Sequence, residues 1–179
     1  MGMSRRPTAD DPASARAATG LVVPPTARTR LLDHLRAAWP AEGCALLSGR
    51  MNAGGWWIVE AVHPAANVAD PAHRHDRFEI DPAARFALMR ALREGPSRLI
   101  GHAHSHPGNA AVPSEADRRA AHEPDLIWVI AGLTGPDDPA PVLTAWTVAG
   151  WTPEAGAAGF RYLPLRAPDL ATPQTILNV

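Results

Sequence analysis

The chain has no lysine: all seventeen of its basic residues are arginine. That removes Schiff-base and lysine general-base chemistry from the candidates, and a composition rich in Ala, Pro and Arg reads as the drift of a GC-rich genome. Cysteine occurs once, at Cys44, so no intrachain disulfide can form and nothing calls for an oxidising compartment. No run of eighteen apolar residues occurs, and the first twenty residues carry charges without a continuous apolar stretch. Neither a membrane-spanning helix nor a secretory leader is therefore expected, and a cytoplasmic location is the default. A formal net charge of -1 with no basic run leaves no electrostatic footprint for nucleic acid or an anionic membrane. Internal repeats, a His-Glu-x-x-His helix, a Pro-Cys-x-x-Cys motif and a Cys/His/Asn nucleophile pattern are all missing.

What is present is a chain of 179 residues with 46% hydrophobic content, enough for one domain with a sizeable core. Residues 1–20 lack periodicity and are expected to be a disordered extension, with the domain at 21–166 and a tail at 167–179. Leu31, Leu32, Leu35, Ala38 and Trp39 recur at helical spacing and predict a first helix over 25–40. Strands are expected at 44–47, ending at Gly49, and at 56–62 after the Gly54-Gly55 turn. Residues 63–76 read as an ordered loop and 78–80 as a short strand. Asp81 as cap and Pro82 at the first helical position start a second helix, with Phe86, Leu88, Met89 and Leu92 as its apolar stripe until Gly95. A strand over 98–103 leads into a histidine pair. A loop over 107–112 and a helix from Glu115 to about His122, capped by Ser114, follow; strands at 126–132, 142–148 and, more weakly, 160–165 complete the order. That order predicts an α/β sandwich around a mixed sheet.

The chemistry concentrates in His104-Ser105-His106-Pro107 and, six residues later, Ser114-Glu115-Ala116-Asp117. Two histidines at i, i+2 project to one side of a strand. With the Asp117 carboxylate they can supply three ligands and leave a fourth tetrahedral position open, as a hydrolytic zinc needs. Far upstream, Glu42 in Glu42-Gly43-Cys44-Ala45-Leu46-Leu47-Ser48-Gly49 is a candidate for the proton carrier that such a site also requires.

Together these segments resemble the JAMM signature of the MPN+ (Mov34/PAD-1-like) zinc metalloprotease family, in its compact prokaryotic form, over roughly residues 31–148. Ala45 stands where many relatives have glycine, a departure that bears on packing more than on chemistry. The resemblance implies a single-domain JAB1/MPN fold, similar to that of cytidine deaminases, with a mixed curved sheet flanked by helices. It implies one Zn2+ per chain on His104, His106 and Asp117, Glu42 as general acid/base, and the Ser114 hydroxyl supporting the oxyanion. The implied reaction is hydrolysis of the amide bond after the C-terminal Gly-Gly of a ubiquitin-like or sulfur-carrier protein.

Plainer readings stand beside these. Ser114 is also a good N-cap, and Asp117 a first-turn acid favoured by the helix dipole. His102 alternates onto the same face as the pair and is read as a structural or supporting residue, since three ligands and an open position already satisfy zinc. His73 and His75 are expected on the surface, and Cys44 as a small buried apolar residue. A zinc hydrolase of small amides and a metal-free scaffold for protein partners remain alternatives, and a homodimer is left open.

Overall fold

The structure, a computed structural model, describes residues 15–152 and 156–168. Its described elements are β1 (Gly20–Val22), α1 (Pro25–Ala37), β2 (Cys44–Met51), β3 (Trp56–Ala65), α2 (Pro82–Ala91), β4 (Arg98–Pro107), α3 (Glu115–Ala120), β5 (Ile127–Leu133), β6 (Val142–Thr152), β7 (Ala157–Leu163) and β8 (Leu165–Arg166). The strands form one mixed sheet in the order β7-β6-β5-β4-β2-β3-β1-β8. The β4/β5, β1/β3 and β1/β8 pairs are parallel, and the others antiparallel. Its two end strands are separated in the chain only by Pro164, whose carbonyl accepts from the Leu21 N–H. The sheet must therefore curl until its ends nearly meet, as the right-handed twist of strands favours.

Helix α1 starts at Pro25, where a missing N–H costs nothing. It buries Ala27, Leu31, Leu32 and Leu35 against the sheet. These join Leu21, Leu47, Val59, Ile127, Val129, Leu133 and Leu163 in the main core, and each fully buried aliphatic side chain contributes roughly 1.5–3 kcal/mol. A smaller cluster of Ala121, Trp128, Val148 and Ala158 lies apart from it, with Phe78, Trp146 and Phe160 packed on. Ala103 and Val129 belong to the first cluster and Trp128 to the second, so neighbouring residues of the central strands face opposite sides. Two glycines are required by close strand approach. A Cβ at Gly49 would lie 1.9 Å from the Ile58 carbonyl oxygen, and one at Gly101 2.2 Å from that of Ile127.

Several expectations need correction. The short strands β1 and β8 add to the expected order, and at three and two residues they are too short to show alternation in the sequence. Ordered chain already begins before position 21: Ala15–Ala17 form a 3-10 turn with Ala15 buried. Residues 1–14 and 169–179, where the rest of the extension and tail were placed, lie outside the described residues. The segment 78–80 is not a strand; only an isolated Asn67–Ile80 bridge forms there. Strand β3 runs on to Ala65, into the expected loop, while β4 extends through both histidines to Pro107. Helix α2 starts as expected, with the Asp81 carboxylate accepting from the Ala83 N–H, yet its apolar stripe does not enter the core. Phe86 is 64% and Met89 48% exposed. Helix α3 ends at Ala120, short of His122. No helix among the described residues is long and apolar enough to cross a membrane.

Candidate metal centre

Strand β4 presents His102, His104 and His106 on alternate positions, and all three are buried. Extension of the strand through His106 is what holds the last two side by side: their Nε2 atoms are 3.0 Å apart. Asp117 comes from the first turn of α3, also buried, with Oδ1 3.2 Å from His104 Nε2 and Oδ2 3.3 Å from His106 Nε2. His104, His106 and Asp117 form the group of donors able to hold a metal ion. With metal–ligand bonds of about 2.0–2.1 Å, a tetrahedron has edges of roughly 3.3 Å, so the observed 3.0–3.3 Å separations suit a small divalent cation. The donor set fits too: the His106 Nδ1 atom lies 3.0 Å from the Ala110 carbonyl oxygen. Donation there leaves Nε2 its lone pair and fixes the ring, as metal-bound imidazoles require.

Asp117 is positioned by a reciprocal cap. The Ser114 hydroxyl accepts from the Asp117 N–H at 3.1 Å, while the Asp117 carboxylate accepts from the Ser114 N–H at 2.7 Å. Ser114 is thus the N-cap that its type suggested, and its hydroxyl proton is not used in that bond. Glu42 arrives from the turn between α1 and β2. It is buried, with Oε1 3.9 Å from His106 Nε2, outside the donor group. The structure therefore brings together Glu42, His104, His106 and Asp117, with Ser114 adjoining through Asp117.

Burial sets the proton affinities of Glu42 and His104, and charged or hydrogen-bonded neighbours override it at His106 and Asp117. Burial pushes the Glu42 carboxyl up to about 8, against the pull of His106 and with help from Asp117 and Asp76. Burial likewise lowers His104 despite Asp117 beside it, keeping the ring neutral. For His106, burial also acts downward, but the hydrogen bond and charge of Asp117 prevail and the net shift is upward. Burial would raise Asp117; the imidazoles and the Ser114 N–H overcome it and hold the carboxyl ionised, well below the usual carboxylate range.

His102 stands apart from the donor group. Its ring packs edge-on to Trp128 with centroids 4.3 Å apart, and its Nδ1 has no partner among the described residues. His73 and His75 are exposed, and Cys44 is buried, as expected. Three contributors were not assigned a role from the sequence. Phe78 stacks on the His104 ring at 4.2 Å; the Ser105 hydroxyl accepts from the Gly43 N–H; and Asn67 donates to the Glu42 carbonyl. Ser105 at the centre of the histidine pair was the readable signal for the second. Asn67 and Phe78 carried only loop and apolar signals.

Residues 24–149 match the family model described as prokaryotic homologues of the JAB domain. Over 113 residues the chain is 34% identical to a desampylase of Haloferax volcanii, an alignment covering 61% of this chain and 78% of the relative. Two solution structures are also similar. A protein from Desulfitobacterium hafniense matches with a TM-score of 0.64 and 26% identity, covering 83% of this chain and 94% of its own. One from Salinibacter ruber matches with a TM-score of 0.57 and 29% identity, covering 85% and 94%. With the His-His-Asp centre lying inside the matched span, the chain belongs to the JAMM/MPN family, among the prokaryotic homologues of the JAB domain.

Proposed function

We propose that this JAMM-type hydrolase is a zinc-dependent isopeptidase or peptidase that cleaves the amide bond after the C-terminal Gly-Gly of a ubiquitin-like or sulfur-carrier protein. The observation that carries the reading is the placement of a buried carboxyl, Glu42, beside but outside a three-donor set of His104, His106 and Asp117. Similarity to a desampylase supports the isopeptidase class. Zinc held by these three residues supplies Lewis-acid polarisation of the amide carbonyl and makes water a competent nucleophile near neutral pH.

The chain's own residues do the rest. Glu42 accepts a proton as water adds to the carbonyl carbon, then returns it to the nitrogen as the C–N bond breaks. Burial raises the proton affinity of the Glu42 carboxyl in the metal-free protein, and a divalent cation on the neighbouring donors would draw it back toward the ionised form that a base needs. Ser114, with its hydroxyl proton uncommitted to the helix cap, donates to the developing oxyanion. The Ala110 carbonyl holds the His106 imidazole in orientation, and Phe78 stacks against that of His104. The products are a Gly-Gly carboxylate and a free amine.

The test compares a carrier protein extended beyond Gly-Gly with short amides lacking that tail, using zinc-loaded enzyme, chelator-treated enzyme and Glu42→Gln. Cleavage of the extended carrier, abolished by chelation and lowered on the order of 10²–10⁴-fold by Glu42→Gln, is the expected result. Equal turnover of short amides would replace the protein-tail reading with a small-amide hydrolase. Full activity of Glu42→Gln would remove that residue from the mechanism.

A further inference from the structure

The segment from Ala69 to Glu79 crosses beside the Glu42 backbone and sets Phe78 against the His104 ring, and one amide ties it down. Asn67 Nδ2 donates to the Glu42 carbonyl at 2.9 Å and to the Arg77 carbonyl at 3.0 Å. Its Oδ1 accepts from the Ala69 N–H and the Glu79 N–H, each at 3.1 Å. A primary amide offers two donors and two acceptor lone pairs, so this side chain is fully satisfied. Its orientation is forced as well, since a flipped amide would set oxygen against two carbonyls.

These four bonds converge on both sides of the site. The Glu42 N–H donates to the Arg74 carbonyl of the same crossing segment, so the Glu42 backbone is held at both its polar atoms by this region. Arg77 and Glu79 flank Phe78, whose ring stacks on His104. Asn67 thus fixes the backbone of the proposed proton carrier and the backbone on either side of a wall against a metal-donor ring. We infer that Asn67 is a positioning residue for the reaction, setting where the Glu42 carboxyl sits relative to His106. The inference rests on the reading of Glu42 as proton carrier. Asn67 itself touches neither the donor atoms nor, on this reading, the substrate.

No other side chain type of similar size replaces it. Aspartate keeps the two acceptor functions but turns a carboxylate toward the carbonyls of Glu42 and Arg77. Alanine removes all four bonds. Misplacement of a reacting group by about 1 Å costs on the order of 10²-fold in rate, and that is the loss expected in kcat for both Asn67→Ala and Asn67→Asp, with KM little changed. Zinc content stays at the wild-type level, because the three donors come from β4 and α3.

The deciding experiment adds Asn67→Ala to Glu42→Gln and measures residual turnover, zinc per chain, thermal midpoint and amide exchange. If Asn67 acts through Glu42, its substitution costs little further rate once the carboxylate is gone, and exchange accelerates at the Glu42 amide. A full additional loss in the double variant overturns the inference, as does wild-type kcat in both folded single variants. Unchanged protection of the Glu42 amide overturns it independently of activity. Should Glu42→Gln itself remain fully active, the mechanism fails first and the positioning role with it.

Discussion

The Gly43 N–H donates to the Ser105 hydroxyl at 2.9 Å, and the Ser105 N–H donates back to the Gly43 carbonyl at 3.0 Å. The serine between the two histidines therefore turns away from the donors and registers the residue after Glu42 against β4. Gly43 can pack there because it lacks a side chain: a Cβ would lie 2.9 Å from that of Ala38 and 3.1 Å from the Leu35 Cα.

Ser105→Ala should leave the buried Gly43 N–H without an acceptor, at about 1–3 kcal/mol, read as a lower midpoint in denaturant. The same change should lower kcat while zinc per chain stays at the wild-type level, since Ser105 holds Glu42's neighbour and no donor atom. A variant as stable and as active as wild type would show that the pairing of β2 with β4 positions Glu42 without it.

Zinc should be lost from the His104→Ala/His106→Ala double variant and weakened by Asp117→Asn, and kept at one per chain by His102→Ala. The distinction follows from geometry, for His102 lies outside the close donor group although it shares a strand face with it. Metal analysis after dialysis measures all three. Zinc lost from His102→Ala and retained in the double variant would exchange the ligand assignment.

Alternation along a strand is a short-range rule and puts His104 and His106 on one face. No such rule brings Asp117 beside them: its place in the set is legible only through the likeness to the JAMM signature, and the three donors come together in the folded chain. What escaped was long-range. The β1 and β8 strands depend on partners far along the chain, and Asn67 sits in a Pro- and Asp-rich loop where asparagine ordinarily means only a turn. Helix α2 shows the converse failure. Its apolar positions follow helical spacing, yet Phe86 and Met89 remain exposed because the sheet's core is already filled by α1 and its own side chains.

Cys44 should resist thiol reagents in the folded protein. Burial, and secondarily the charge of Glu42, pushes its thiol up to about 12, and only the thiolate is the nucleophile. Labelling should appear in step with global unfolding in denaturant. Rapid labelling of native protein would mean that the start of β2, next to Glu42 and paired with both β3 and β4, opens readily, against the complete burial of Cys44.

Acid should release zinc through His106. Its proton affinity in the protein is raised, chiefly by Asp117 against the opposing effect of burial, whereas His104 is lowered and Asp117 stays ionised. As pH falls, the proton therefore competes with the metal first at His106 Nε2, and from a higher pH than at an ordinary histidine. The sign reverses for chelated protein. A raised folded-state pKa contributes stability that is fully present below the unfolded value of about 6.5 and is lost as pH rises through the folded one. The zinc-loaded protein should thus lose metal, and with it stability, on acidification, while the chelated protein should lose stability on alkalinisation. Zinc competition titrations and denaturant midpoints across this window read both arms. A loss of apparent affinity of about tenfold per pH unit marks one competing proton. A steeper loss would place a second protonating ligand beside His106, and a flat profile would remove His106 from the metal centre.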